Sequence, residues 1–552
     1  MYKLKNIKMK LKMKNIGLLL VTLLVFSYSC DNFIDMDLLD NPNNVTEADA
    51  DVNYLLNGIQ VRFVDFMAGK PADNQMGLNS SAMEATRMIN QFGTYTGPFS
   101  RMRATSSSSL WEWSYMRVLK NSELLIKLAD EGGFNYHAGM GKVLRAFTMV
   151  NLVDFFGDVP YSEALIGSEN LNPGPTSGQE IYNAAFDLIE SAIADFNAGV
   201  PGGLPTDYFY NNNATKWIKM ANTLKLKMYL QTRLINASES KSAINSIISS
   251  GNYISNSDDD FQFQYSTVAA NPDSRHPEFI NNYLAQGGAD YMSNYYMDLL
   301  INHKSIRDPR LRYFIYRQTV EEPSGDDLPC SGKDYDFCYV GDSYWGRDHA
   351  DEDGVPNDGV KRSLMGIYPA GGAFDGDTYA AGNINPGAGG AGIFPILMSS
   401  YVKFMLAESK LTMDVSGDTK TYYEAGIRES IQKVMSFGAE QAAGSPFIPT
   451  ADDIEIYVSD ALDKYDVAAD DGEKLDVVIT EYYIALFGNG IEAYNTIRRT
   501  GFPSTLQAPV LAAGPFPRSY LFPSNLVDRN SSFSQKQVTE TVFWDNNSTT
   551  LQ

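Results

Sequence analysis

The stretch LRAFTMVNLVDFFGDVPYSEAL, residues 144–165, decides how this chain folds. Leu144, Phe147, Asn151, Leu152 and Phe155 recur at helical spacing and share one face, while Val143, Val150 and Val153 cover much of the rest. A helix that is apolar nearly all round must be interior. The spacing therefore predicts a buried helix from about Met140 to Phe156. Its end is marked as well, because Gly157 is free to adopt the left-handed conformation that closes a helix and Pro160 cannot extend one.

Outward from this helix, apolar residues at three- and four-residue steps predict others at about Asp49 to Met67, Leu110 to Asp130, Gly178 to Phe196, Ala214 to Ile235, Pro395 to Met413 and Lys474 to Phe487. In the last of these Leu475, Val478, Tyr482 and Leu486 form a stripe that Gly488 and Gly490 terminate. Trp111 and Trp113 fall in a helical pattern with Leu110, Met116 and Leu119, which places at least one indole in the core. Long helices joined by short turns predict a mainly α protein of stacked helical hairpins, with no exact repeat at a period of about 34 residues. Between about residues 255 and 395 the pattern gives way to Asn, Gly, Asp, Tyr and Pro with few periodic apolar positions. Loops of that length are functional or disordered, and the Tyr and Trp content argues for function. A binding surface is expected there, carried by loops on a rigid scaffold.

The chain opens MYKLKNIKMKLKMKNIGLLLVTLLVFSYSC, with six lysines, no acid, an apolar run from Ile16 to Phe26, and Ser27 and Ser29 before Cys30. This reads as a signal peptide over residues 1–29, too short in its apolar run for the roughly 20 residues that span a bilayer. Cys30 is then the expected lipid anchor of an exported lipoprotein. Tyr28 stands where a smaller residue is usual, so an ordinary secretory cut is the competing reading, and the mass of the mature N-terminus separates the two. The remainder, residues 30–552, is read as one large unit with a loop-rich insert.

The full chain carries a net charge of −23, and loss of the six leader lysines makes it −29. So acidic a protein disfavours nucleic acid and anionic lipid as partners. Beyond Cys30 the only cysteines are Cys330 and Cys338, which bound the segment CSGKDYDFC. In an exported protein a disulfide within the loop is the favoured reading, two free thiols the alternative.

Two loop segments, TYTGPF at 94–99 and YDFCYVGDSYWGR at 335–347, set aromatic rings among Gly, Ser and Asp. Rings of this kind pack against the C–H faces of sugars or against peptide side chains, while neighbouring hydroxyls and amides give direction. Tyr95, Phe99, Tyr339, Tyr344 and Trp345 are the candidate ligand-binding residues, and packing that holds the loop down is the rival role for the last three. In RDHADEDGVPNDG, Asp348, Asp351, Asp353 and Asp358 surround Gly354, a set able to converge on Ca²⁺, with a solvated acidic turn as the alternative. The spacing matches an EF-hand only in part, since His349 and Val360 stand where that loop wants acids; the Asp-x-Asp-Gly-Val-Pro portion also looks like thrombospondin type 3 calcium repeats. No cofactor is otherwise required.

Signs of catalysis are few. His137, His276, His303 and His349 stand at no metal-ligand spacing, and no Gly-x-Ser-x-Gly occurs. Gly387, Gly389 and Gly392 spell a formal GxGxxG, but it follows Asn385 and Pro386 rather than a strand, so a pliable loop is expected. Carboxylate pairs carry no weight in a chain this acidic.

Several segments together resemble one family: LRAFTMVNLVDFFGDVPYSEAL at 144–165, RDPRL at 307–311, FPILMSSYVKFMLAESKL at 394–411, EYYIALFGNGIEAYNTIRRTGFP at 481–503 and PRSYLFPSNLVDRN at 517–530. Their order and spacing resemble the SusD/RagB nutrient-binding outer-membrane lipoproteins of Bacteroidetes. The resemblance implies a mainly α fold of tetratricopeptide-like hairpins with long irregular ligand-binding loops. It also implies a binding protein without catalytic activity, lying as a lid on a SusC-like TonB-dependent transporter and passing it captured oligomers. Arg145, Asp154, Arg498 and Arg499 fall in the matched segments and are read as ion-paired framework. The expectation is a lipid-anchored outer-membrane protein facing the exterior that captures an oligosaccharide. Peptide capture is the alternative within the binding class; a cell-surface hydrolase and a purely structural lid are the rivals outside it.

Overall fold

The predicted interior helix spans Asn135–Phe156, and from His137 to Phe156 every residue except Arg145 is buried. It ends where expected, Gly157 donating its N–H to Val153 O at 2.8 Å, but with φ 76° and ψ −131° rather than in the left-handed helical conformation. The structure, a computed structural model, describes residues 50–70, 75–91, 102, 104–270, 272–284, 290–351, 359–379, 387–510 and 515–551. The leader, Cys30, Tyr95, Phe99, Asp353 and Asp358 lie outside the described residues.

Helices Val52–Ala68, Lys120–Gly132 and Gly178–Asn197 pack on this central helix, and Gly178–Asn197 in turn packs on Ala214–Gln231. A second group follows the insert: Ser399–Met413, Thr419–Phe437, Ala451–Val467, Asp471–Ala485 and Gly490–Thr500. Side-chain caps start many of these helices. Asn213, Asp418 and Asn489 accept from the backbone N–H three residues on, and Thr450 with Asp453 forms a capping box. Asp414 and Gly501 close two of them in the left-handed conformation.

The helical reading of the sequence holds with three differences. The stretch expected to be helical from Pro395 begins as a strand, Ile393–Leu397, and the helix starts only at Ser399. Ile393, Phe394 and Ile396 favour extended backbone. Pro395, which has no N–H to give, sits within that strand, opposite Gln262. The stretch at 110–130 is interrupted by a π-helical turn, Trp113–Leu119. The helices Ala237–Ser250, Thr419–Phe437, Ala451–Val467 and Gly490–Thr500 were not foreseen; the first three show few fully buried positions, so their apolar stripes are thin.

Short antiparallel strand pairs fasten the insert. Phe261–Gln264 pairs with Ile393–Leu397, which zips the two ends of the insert to each other. Asn489 then donates from Nδ2 to Pro395 O at 2.9 Å and Ile396 O at 3.1 Å, tying that zip to the helical scaffold. Inside it, Ile315–Tyr316 pairs with Leu364–Met365, while Asp290–Met292 pairs with Ile89–Gln91 outside the insert. The long loops are thus divided into segments with closed bases, which lowers the entropy left to each.

Gly490 shows how closely the scaffold packs: a Cβ there would stand 2.3 Å from the backbone nitrogen of Met83. Backbone cannot yield as a side-chain tip can. Gly490→Ala is therefore expected to cost about 1–3 kcal/mol, the usual range for overpacking. A urea titration checks this, and an unchanged midpoint would show that the two helices separate freely.

Candidate functional site

The insert is held from within by buried polar groups. Arg317 places Nε 2.7 Å from Asp375 Oδ2 and its guanidinium 4.8 Å from the Tyr344 ring centroid. Asp348 is a second centre. Its oxygens accept from Asn294 Nδ2 at 2.6 Å, the backbone N–H groups of Phe337 and Cys338 at 3.1 Å each, and Gln507 Nε2 at 2.9 Å. Burial pushes the Asp348 carboxyl up from its ordinary range against the pull of those donors. Cys330 and Cys338 are joined as a disulfide, so the loop that Asp348 grips is also closed covalently.

These contacts decide where the sequence-predicted residues stand. Tyr344 is wholly enclosed and Trp345 is 4% exposed, so neither ring offers a face to solvent, and their expected role as a binding platform is corrected to packing. The Trp345 indole N–H is spent on Glu321 O at 3.1 Å, and Lys361 Nζ lies 5.4 Å from its ring centroid. Tyr339 is half-buried and donates to Glu322 while accepting from the Ser343 N–H at 2.6 Å. The cavity beside the disulfide measures only about 20 Å³, too small for a ligand. For the expected calcium loop, Asp348 does not fit, because its lone pairs face N–H donors; Asp351 faces Arg347 at 3.4 Å. Among the described residues no group of three or more His, Cys, Asp or Glu side chains is placed to hold a metal.

The residues read as ion-paired framework divide: Asp154 lies 3.6 Å from Lys227 Nζ and Arg499 faces Glu408, whereas Arg498 and Arg145 hydrogen-bond to neutral groups. Arg499 and Glu408 form a fully buried bidentate pair, Nε–Oε1 2.7 Å and Nη2–Oε2 2.8 Å. Arg498 instead donates to the carbonyls of Arg518 and Asp154 and to Asn495 Oδ1, with Trp544 stacked at 4.7 Å. Arg145 donates to Leu119 O and Ser122 Oγ, and Trp113 supplies the expected core indole.

A concavity of about 300 Å³ lies where helix Val52–Ala68 meets the strand Phe261–Gln264 and the turn after it. Val64, Phe263 and Tyr265 give it apolar walls, and two ion pairs line it, Arg62–Asp65 at 2.8 Å and Arg275–Asp273 at 2.6 Å. Tyr265 is 9% exposed, its ring meets those of Phe263 and His276 edge-on, and its hydroxyl has no hydrogen-bond partner among the described residues. The sequence reading missed this site. Its signal was the alternation of Phe261, Phe263 and Tyr265 with Gln262 and Gln264, which is the period of a half-buried strand.

His276, packed against Tyr265, accepts from the Glu278 N–H at Nδ1 (3.0 Å), and burial pushes its imidazole down to about 3. His303 is pushed down to about 4, by burial first and by Lys304 and Lys464 next. Below pH about 6.5 the unfolded chain takes protons that the folded chain refuses, so stability falls as pH drops toward those values. For His276 alone the loss at pH 5 is about 2 kcal/mol. Buried Asp260, Asp348, Asp375 and Glu429 are raised and titrate with the opposite sign, so the informative comparison is wild type against His276→Asn. The variant should lose less melting temperature between pH 7 and pH 5; equal losses would remove His276 from the balance.

The helical scaffold holds a long, loop-built insert, the arrangement in which loops commonly carry recognition. The sequence from residue 42 to 523 matches the SusD-like family described as "Starch-binding associating with outer membrane". The chain belongs to this family, whose members are binding proteins rather than enzymes. The same fold is seen in a SusD homologue from Bacteroides fragilis, with 19% identity, TM-score 0.65, and 90% of this chain and 100% of that one covered. It is seen also in a SusD/RagB family protein from Bacteroides thetaiotaomicron, at 17% identity and TM-score 0.66 with the same two coverages of 90% and 100%. A chitin-binding SusD homologue from Flavobacterium johnsoniae matches at 18% identity and TM-score 0.65, again over 90% of this chain and 100% of that one. No curated protein sequence matches the chain.

Proposed function

We propose that the protein is a lipoprotein, anchored through Cys30 to the outer membrane and facing the exterior, that captures an oligosaccharide and hands it to a SusC-like TonB-dependent transporter. The observation that carries this reading is the family match, which extends over residues 42–523 and so includes the scaffold and the whole insert. The family's description and the chitin-binding relative favour a glycan as the ligand class. The leader with its cysteine supports the anchor, and a tether supports delivery, because it keeps a lid near its barrel at high effective concentration.

Native electrophoresis through gels containing soluble polysaccharides, beside binding assays with peptide mixtures, tests the ligand class. Retardation by at least one glycan without peptide binding is expected. Peptide binding with retardation by no glycan would move the protein to the peptide-capture reading, toward which its negative charge leans for basic peptides.

A further inference from the structure

We propose that the side chains of Lys227 and Asp154 become joined by an amide bond, formed within the folded protein with Glu492 as the base. The three residues come from three helices that meet in the interior: Lys227 from Ala214–Gln231, Asp154 from Asn135–Phe156 and Glu492 from Gly490–Thr500. Their side chains are at most 3% exposed. Lys227 Nζ lies 3.6 Å from Asp154 Oδ2 and 3.2 Å from Glu492 Oε2. Among the described residues it is the one lysine whose enclosed Nζ makes no hydrogen bond.

Such a place is poor for ions and good for condensation. Taking charges out of water is costly, and the cost is recovered only where hydrogen bonds complete the pair. The ammonium lacks them here, and so does Glu492 Oε1. In water, solvation favours ammonium and carboxylate over the amide; enclosure takes that advantage away. An amide removes two of the three charges and leaves Glu492, whose charge Arg499 also feels. Proximity supplies the rate. Holding two reactants in place is equivalent to concentrations of about 10⁵–10⁸ M, and Nζ stands close to the roughly 3–3.5 Å from which attack begins.

The oxygens decide which acid is consumed. Asp154 Oδ1 accepts from the Tyr182 hydroxyl and from the Trp544 indole N–H at 2.9 Å, two donors on the oxygen where negative charge grows as nitrogen attacks. Asn495 Nδ2, 2.9 Å from Oδ2, holds the carboxyl in its orientation. Glu492 Oε1 has no such donors, which leaves Glu492 to move protons. It takes a proton from the ammonium, and the freed lone pair attacks Asp154 Cγ. The Nζ–Cγ bond forms, the Cγ–Oδ2 bond breaks with its electron pair going to oxygen, and the two protons shed by nitrogen leave on Oδ2 as water. Ammonium and carboxylate thus give amide and water, with no oxidant and no change in net charge. Oδ1 keeps both its donors in the product. Without the Asp154 carboxylate, Lys227 stays an ammonium beside Glu492.

Mass spectrometry of the purified chain, with the Cys330–Cys338 disulfide reduced, tests the link, together with fragmentation of its proteolytic peptides. Folded wild type is expected to weigh one water less than its processed sequence and to yield a branched peptide joining residues 154 and 227. Lys227→Met and Glu492→Gln, each verified as folded by circular dichroism, should have the full mass of their sequences. Wild type at full mass would overturn the proposal. So would a missing water that maps to a cyclised Asp–Gly step such as Asp375–Gly376, or a branch from residue 227 to residue 492. Folded Glu492→Gln linked as completely as wild type would overturn the role of Glu492 as the base.

Discussion

Glu408→Ala is expected to lower the stability of the folded protein by about 3–5 kcal/mol, the range found when one partner of a buried ion pair is removed. Glu408 is fully enclosed and faces two cations: Arg499, bound in the fork geometry, and Arg233, whose Nε stands 3.2 Å from Oε1. Burial opposes the Glu408 charge, but the two guanidiniums overcome it and hold the carboxyl below its ordinary range. Without the carboxylate the guanidiniums face each other with nothing between them. Arg233 already feels this, since burial first, and Arg499 next among the opposing charges, lower its hold on its proton. The three residues come from helix Ser399–Met413, helix Gly490–Thr500 and the turn Thr232–Leu234, so the damage spreads across the junction of the two helical groups. Equilibrium denaturation in urea measures the loss. Glu408→Gln, which keeps an acceptor without the charge, should cost less, and equal losses for Ala and Gln would assign the whole effect to charge.

Asp154→Ala should be of similar size for a different reason. One Asp154 oxygen accepts from the Tyr182 hydroxyl and from the Trp544 indole at 2.9 Å; the other accepts from Asn495 Nδ2 at 2.9 Å and lies 3.6 Å from Lys227 Nζ. Deleting the carboxylate strands buried donors from four parts of the chain, each worth about 1–3 kcal/mol when unsatisfied. Glu492, 3.2 Å from Lys227, remains to hold that ammonium, which limits the total to about 3–5 kcal/mol. Because Trp544 belongs to the C-terminal segment, proteolysis near residue 544 should quicken in the variant. A variant with unaltered melting and unaltered cleavage would mean that water replaces the carboxylate, which full burial of Asp154 argues against.

The fold was legible where apolar residues fill a helix, as at 140–156 and 474–487, although the second helix ends at Ala485, ahead of Gly488, and Gly490 opens the next helix rather than closing this one. It was less legible where caps do the work: Asp418 and Thr450 start helices whose buried stripes are thin, and such signals are local and easily passed over. The site was read least well. Aromatic density in 335–347 fits exposure and packing equally, and only the fold decides for packing at Trp345, through Lys361 over its ring and an indole hydrogen bond that joins residues 24 apart in sequence. Likewise Asp348 was weighed for a cation because its neighbours in sequence are acidic, while its neighbours in space are N–H donors brought from Asn294 and Gln507. The side chains of Arg62, Asp65, Phe263, Tyr265, Asp273 and Arg275 meet in one cavity only after the strand Phe261–Gln264 pairs with Ile393–Leu397. Contacts that depend on so distant a pairing leave no mark in local spacing.

Uptake by living cells tests the proposed capture and delivery at once. Cells lacking this chain, but retaining the transporter at verified levels, would be given a fluorescent oligosaccharide that retards the wild-type protein in gels, beside its monosaccharide. Oligosaccharide entry at low concentration should fall by at least tenfold, monosaccharide entry should be unchanged, and re-expressed wild type should restore the loss. Undiminished oligosaccharide uptake in the deletion strain would contradict capture and delivery.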